Sequence, residues 1–237
     1  MHGMQVELPE GHLVSPERRR LLRQAGMVAL FCCLPRTLYG AVAAQWYRET
    51  IDVLQMTYAN EFMSRERYLA FAQQALKEGH ANIAHLFAAL AASEAVHARN
   101  YRKILQALGV KAVKPDVSAI KVDTTRDNLR YAAEDELAEV DKLYPELLAR
   151  LAPEGHKDAI EKVEWSWQAE RQHRELIAQI LSGTGIFFGV LSEKFRQSSV
   201  RYFVCENCGS TLIELPNEKC PVCDKPVDIY REIKRVG

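Results

Sequence analysis

SEAVHARNY, residues 93–101, and QAERQHREL, residues 168–176, each place a glutamate three positions ahead of a histidine: Glu94 with His97, and Glu170 with His173. Positions i and i+3 are neighbours on one helix face, so either pair alone is commonplace. Their surroundings repeat as well. At the same distance ahead of each motif glutamate lies the same tripeptide, Glu78-Gly79-His80 in the first half and Glu154-Gly155-His156 in the second. Further upstream, a glutamate sits inside an apolar helical pattern in both halves, Glu61 and Glu136. One helical hairpin is written twice.

The periodicity predicts four helices. In the first, from about Thr50, residues Ile51, Leu54, Tyr58, Glu61, Tyr68, Ala72 and Leu76 follow steps of three and four, and Gly79 ends it. The second runs from about Asn82 to Leu108 and puts Ile83, Phe87, Leu90, Glu94, His97, Tyr101 and Ile104 on one face. Residues 110–122 contain Pro115, lack a helical period and read as a long connection. Thr124 or Thr125 caps a third helix carrying Leu129, Ala132, Glu136, Glu139 or Val140, Leu143 and Leu147 inward. The second repeat is one residue longer between its first glutamate and its tripeptide, and Pro145 predicts a kink or bulge there. A fourth helix, from about Lys157 to Leu181, turns Val163, Trp167, Glu170, His173 and Ile177 inward.

At 237 residues the chain can fill a sizeable core, and its 31 basic and 31 acidic side chains give no field that would select nucleic acid or an anionic membrane. The expected organisation is an extension over 1–49, a bundle over 50–183, a linker over 184–199 and a small module over 200–237. In the extension, Arg18-Arg19 precede an apolar run and then Ala41-Val42-Ala43, the order of a twin-arginine export signal, but Pro35 and Arg36 interrupt it. Cytoplasmic location is therefore expected, with periplasmic export the alternative. Cys32 and Cys33 read as buried apolar residues.

Five glutamates (Glu61, Glu94, Glu136, Glu139, Glu170) and two histidines (His97, His173) on inward faces would fill the bundle centre with charge. An unpaired buried carboxylate is costly enough that such a cluster demands cations. A glutamate from each of two helices plus Glu-x-x-His from each of the other two is the ligand plan of two-metal carboxylate bundles. Oxygen and imidazole donors suit iron or manganese. The bland alternative leaves these glutamates solvated at the edges of their stripes, but seven such residues in a duplicated hairpin argue against it. His80 and His156 lie beside helix-ending glycines and read as surface residues; His85 reads as solvated or hydrogen-bonded.

The module carries Cys205-x-x-Cys208 and Cys220-x-x-Cys223, with 11 residues between the pairs. Two such knuckles predict a tetrahedral four-thiolate site for iron or zinc. Short β-like runs, Arg201 to Val204 and Thr211 to Leu215, are too small to be stable without a metal.

Over residues 50 to 237 the sequence resembles the rubrerythrins. The likeness is carried by Asn60-Glu61, Arg65 to Tyr68, Lys77-Glu78-Gly79, Glu94-x-x-His97-Ala98, Asn128-Leu129, Glu136-x-x-Glu139, Leu143 to Glu146, Glu170-x-x-His173 and the cysteine module. It implies a mainly α architecture, a ferritin-like four-helix bundle joined to a rubredoxin-like β-type domain. It implies that Glu61, Glu94, Glu136, Glu139, Glu170, His97 and His173 hold two non-haem irons, with His97 and Glu139 exchanging at one of them. Tyr68 and Tyr144 are expected to hydrogen-bond ligand carboxylates, reached from Glu61 and Glu139 at i+7 and i+5. The four cysteines are expected to hold one iron, zinc being the alternative.

The activity implied is reduction of hydrogen peroxide. Glu139 would relay protons, and electrons would come through the cysteine site from an external donor such as a rubredoxin or an NAD(P)H-dependent reductase. A homodimer is expected, with electrons passing to the second subunit's site. The rival is a ferritin-like ferroxidase with a structural zinc ribbon. The sequence departs from the family at Asp135, where glycine precedes the ligand, which bears on solvent access and charge. Asp224 stands where the knuckle has glycine, and Ser210 where an aromatic is common.

Overall fold

The computed structural model describes residues 45–184 and 200–235. The export-like segment, Cys32, Cys33 and most of the expected linker lie outside them. Four long helical elements form the bundle: α1 (Arg48–Lys77), α2 (Ala81–Ala107), α3 (Thr125–Ala138) continued through a π-helical turn (Glu139–Leu143) into α4 (Tyr144–Leu151), and α5 (Lys157–Thr184). Thr124 caps α3, its hydroxyl accepting from the Asp127 N–H. Among the described residues no helix is long and apolar enough to cross a membrane.

The repeated tripeptides fix the topology. Glu154, in the turn of the second hairpin, accepts the N–H groups of Glu49 and Thr50 at 2.9 and 2.8 Å, capping the start of α1. Glu78, in the turn of the first hairpin, accepts the Thr125 N–H at 2.9 Å at the start of α3. Each turn therefore caps the other hairpin's first helix, answering donors that a helix leaves open. The caps also place the start of α3 at the α1–α2 turn. The connection over 108–124 must then run the length of α2, about 40 Å at 1.5 Å per residue, within reach of an extended chain at about 3.3 Å per residue. The result is a bundle with one long crossover.

The π turn accommodates the extra residue of the second repeat. The Tyr144 N–H bonds the Glu139 carbonyl, five residues back. In the same register the Val140 carbonyl would look to residue 145, but Pro145 has no N–H to give. Trp167 on α5 supplies the donor instead, its indole Nε1 lying 2.8 Å from that carbonyl.

A polar layer divides the core in two. On one side pack Phe71, Phe87, Leu90, Leu129, Ile177 and their neighbours. On the other pack Leu54, Tyr58, Leu105, Leu147, Leu151 and Val163. The predicted glutamates and histidines lie between these halves. The first apolar half also takes in Tyr202, Val204 and Ile233 of the cysteine module, so bundle and module share a core. His85 is buried at this junction, with Nε2 2.7 Å from the Ile233 carbonyl. His156 is half-buried, edge-on to Tyr47 at 4.7 Å between ring centroids.

The module is a three-stranded antiparallel sheet in the order β2-β1-β3: β1 (Phe203–Cys205), β2 (Thr211–Leu212) and β3 (Tyr230–Glu232). The third strand is absent from the sequence reading, being only three residues long and polar at its end. Its register sets Tyr230 opposite Cys205. Asp224 holds a left-handed backbone, φ 55°, at the position where the family's knuckle has glycine, and aspartate is one of the few side chains that tolerate it.

The reciprocal caps are measurable. Glu154→Ala and Glu78→Ala should each cost about 1 kcal/mol in denaturant unfolding. Burial nudges the Glu78 pKa upward, but hydrogen bonds from Thr125 and Gln74 hold it below the ordinary 4.5. A depressed folded pKa stabilises above the unfolded value, so the advantage of wild type over Glu78→Gln should be full above pH 4.5 and vanish as pH falls below it.

Candidate metal centres

One inward glutamate each from α1 and α3 and an i, i+3 glutamate–histidine pair each from α2 and α5 bring six of the predicted side chains to one buried layer. They fall into two groups, Glu61, Glu94, His97 and Glu170 on one side and Glu94, Glu136, Glu170 and His173 on the other, with the donor atoms of each group within 4.8 Å of one another. Glu94 and Glu170 belong to both. Glu94 turns Oε2 to His97 Nδ1 at 3.0 Å and Oε1 to His173 Nδ1 at 3.3 Å. Glu170 does the same, Oε1 to His97 at 3.0 Å and Oε2 to His173 at 2.6 Å. These two carboxylates bridge the halves, while Glu61 and Glu136 each serve one. Each half therefore offers one imidazole nitrogen and three carboxylates.

Electrostatics show what such a layer lacks. Burial pushes the Glu61 carboxyl up to about 8 against the pull of His97. Burial, and then the charge of Glu170, drive Glu136 well above the usual range. Burial opposes ionisation of Glu170 too, but the imidazoles of His173 and His97 hold it low. Both imidazoles resist desolvation and are held well above their ordinary value by the surrounding carboxylates, chiefly Glu170. The histidines are the layer's only internal source of positive charge. Glu136 Oε2 is buried without a partner, and Glu170 Oε2 and His173 Nδ1 face each other at 2.6 Å without the geometry of a hydrogen bond. Unsatisfied buried groups of this kind each cost about 1–3 kcal/mol. Two divalent cations of oxygen and imidazole preference fit this donor set and would satisfy those atoms.

Both tyrosines bond carboxylates of the layer, but across the hairpins. The Tyr68 hydroxyl of the first hairpin donates to Glu136 Oε1 at 2.6 Å, and the Tyr144 hydroxyl of the second donates to Glu61 Oε1 at 2.7 Å. Seven residues on one helix lie about 10 Å apart along its axis, too far for the same-helix contact that the spacing suggested. Burial and the neighbouring carboxylates keep both phenols protonated well above their ordinary pKa.

Glu139 belongs to neither group. It begins the π turn, half-buried, and lines a cavity of about 500 Å³ with Asn60, Ser64, Arg67, Asp135 and Lys142. Desolvation, then the charges of Glu170 and Glu61, raise its pKa well above the ordinary value. Asp135, the departure from glycine, does add a carboxylate to this cavity, but Arg67 pairs with it at 2.6 Å while lying 4.7 Å over the Tyr131 ring.

The outer nitrogens of both histidines point into the cysteine module. His97 Nε2 lies 3.1 Å from the Cys208 carbonyl, which can only accept, so the proton sits on Nε2 and leaves Nδ1 free to ligate. His173 Nε2 lies 3.2 Å from Thr211 Oγ1, whose own proton goes to the Gly209 carbonyl at 2.9 Å. Ser93 donates to that same carbonyl at 2.6 Å, and Gln172 accepts the Thr211 N–H at 2.9 Å. Gly209 is indispensable here: its φ is +86°, and a Cβ would stand 2.3 Å from His97 Nε2. Ser93, Gln172, Gly209 and Thr211 carried no signal in the sequence, because their partners lie in another domain. Around the edge, Asn100 donates to the Asn207 carbonyl at 2.8 Å and Arg99 to Glu206.

Cys205, Cys208, Cys220 and Cys223 are all buried and form no disulfide. Their sulfurs pair at 3.7 Å (Cys205 with Cys223) and 3.5 Å (Cys208 with Cys220). A tetrahedral metal at about 2.3 Å from each sulfur needs edges of about 3.8 Å, so the four fit iron or zinc. Trp165 of α5 packs against them.

The model of the family described as Rubrerythrin matches residues 52–181. A putative rubrerythrin of Methanocaldococcus jannaschii is 30% identical over 79% of this chain and 93% of its own. Nigerythrin of Nitratidesulfovibrio vulgaris is 26% identical, covering 76% of this chain and 85% of its own. Among solved structures, nigerythrin in its fully reduced, all-ferrous state aligns with a TM-score of 0.66 at 26% identity, over 77% of this chain and 86% of that one. A bacterioferritin of Desulfovibrio desulfuricans, 17% identical with a TM-score of 0.61, covers 65% of this chain and 90% of its own and shares the bundle fold. With a ferritin-like bundle, a two-group carboxylate and histidine layer and a rubredoxin-like four-cysteine module, the chain belongs to the rubrerythrin family.

Proposed function

We propose that the chain reduces hydrogen peroxide to water at the carboxylate layer, with electrons arriving one at a time through the four-cysteine site. The observation that carries this reading is the contact between His97 Nε2 and the Cys208 carbonyl at 3.1 Å. A residue that holds one metal is joined by one hydrogen bond to the backbone of a residue that holds the other. A ferroxidase that only stores iron has no use for that junction.

Glu61, Glu94, His97, Glu136, Glu170 and His173 would hold two irons, and the four cysteines a third. Bound iron supplies the two electrons, one from each ion of the pair, that break the O–O bond. The rest of the chemistry falls to the chain. Two protons must reach the oxygens so that one peroxide leaves as two waters. Glu139 is the group we assign to that transfer, since it lines the cavity beside the layer and is committed to neither group. Tyr68 and Tyr144 keep the Glu136 and Glu61 carboxylates in place. The cavity sets charged side chains among apolar ones and suits a small uncharged substrate. The electron donor is proposed to be a rubredoxin or an NAD(P)H-dependent reductase, in the cytoplasm. The module sits on the bundle of its own chain; exchange of modules within the proposed homodimer would use the same contacts.

Anaerobic stopped-flow mixing of the all-ferrous protein with peroxide should show fast loss of two ferrous ions per peroxide, and Glu94→Ala should abolish it. Absence of the fast phase, or equal reactivity of the variant, would refute the assignment. Gly209→Ala separates the two halves of the mechanism. Its Cβ removes docking hydrogen bonds worth about 1 kcal/mol each, so the docking equilibrium constant should fall roughly tenfold. Single-turnover oxidation should survive while steady-state turnover drops. Unchanged steady-state turnover would show that electrons do not use this junction.

A further inference from the structure

The module contains a side-chain pair that the peroxidase reading leaves unused. Tyr230 is half-buried on β3, opposite Cys205, and its hydroxyl donates to Cys220 Sγ at 3.1 Å. Ser210, completely buried, lies 2.9 Å from the same phenol oxygen. A metal-bound thiolate carries no hydrogen and can only accept. A phenol has one proton, and it goes to sulfur, so Ser210 must donate to the phenol oxygen. The chain Ser210 to Tyr230 to Cys220 thus has one direction. Ser210 occupies the position where an aromatic is common in this family, and its hydroxyl lies 2.9 Å from the Tyr230 oxygen.

We propose that Tyr230, oriented by Ser210, is a positioning residue that raises the reduction potential of the four-cysteine site. The inference rests on the reading of that site as an electron-carrying iron. One-electron reduction adds one negative charge to the metal and its four thiolates. A hydrogen bond to sulfur stabilises the more negative form more strongly, and the effect is larger in a buried site. The consequence is a module that accepts electrons readily from a low-potential donor and holds them until the carboxylate layer has been oxidised.

The test uses the full-length chain loaded with iron. Midpoint potentials are measured by spectroelectrochemical titration of the ferric thiolate absorption in wild type, Tyr230→Phe and Ser210→Ala. Tyr230→Phe should lower the potential, Ser210→Ala should lower it by less, and single-turnover oxidation of the carboxylate site by peroxide should be unchanged in both. Site-specific 3-fluorotyrosine at position 230, a stronger donor of the same shape, should raise it. This variant decides the matter if Tyr230→Phe does not fold. An unmoved potential across the series, or a rise in Tyr230→Phe, overturns the proposal. A cobalt(II)-loaded module separates this outcome from failure of the electron-transfer reading. Loss of the hydrogen bond should move the sulfur-to-cobalt charge-transfer band to lower energy whether or not the native site cycles. If the band and the iron potential both shift but the native protein holds zinc, the hydrogen bond stands and the electron-carrying role falls.

Discussion

The centre of this bundle is a layer of ionisable groups removed from water, and every other feature of the molecule answers its cost. Desolvating an ion costs several kcal/mol even after relaxation, and like charges packed together add to it. Four carboxylates and two imidazoles cannot satisfy one another completely, as the unpartnered Oε2 of Glu136 shows. Cations fit that deficit. The apolar halves above and below keep the layer dry, and the two tyrosines answer two of its lone pairs without adding charge.

Reciprocity between the hairpins is the structural device that assembles the layer. Tyr68 reaches Glu136 while Tyr144 reaches Glu61. The Glu78 turn caps α3 while the Glu154 turn caps α1. Neither hairpin completes its own helix ends or its own carboxylates, so each depends on the other. The symmetry fails at the π turn. Pro145 removes a donor, Trp167 replaces it, and Glu139 is carried to the cavity wall and away from the donor groups. The one ligand candidate without a counterpart in the first hairpin is thus the only one of the seven that is not fully buried.

The module is seated by polar contacts onto the histidine side of the layer and by Tyr202, Val204 and Ile233 onto one half of the core. This seat fixes the imidazole tautomers from outside, leaving Nδ1 of both rings directed at the carboxylates. It also demands a glycine at 209, where backbone and imidazole nearly touch. The same module orders a phenol against one of its own sulfurs, so the chain tunes both of its candidate metal sites through hydrogen bonds from residues that ligate nothing.

The sequence by itself determined the helices, the duplicated hairpin, the two cysteine knuckles and the identity of the clustered side chains. It could do so because apolar periodicity, glycine stops and ligand spacing are local properties. The extra residue of the second repeat was also legible as a count, and Pro145 marked its neighbourhood. Only the tertiary structure decided that Glu94 and Glu170 bridge while Glu61 and Glu136 do not, that the tyrosines cross between hairpins, and that Glu139 stands apart. The third strand, Ser93, Gln172, Gly209 and Thr211 were likewise invisible. Their roles come from contacts between segments as many as 116 residues apart, such as Ser93 with Gly209, and no local pattern encodes which distant surface a side chain will meet.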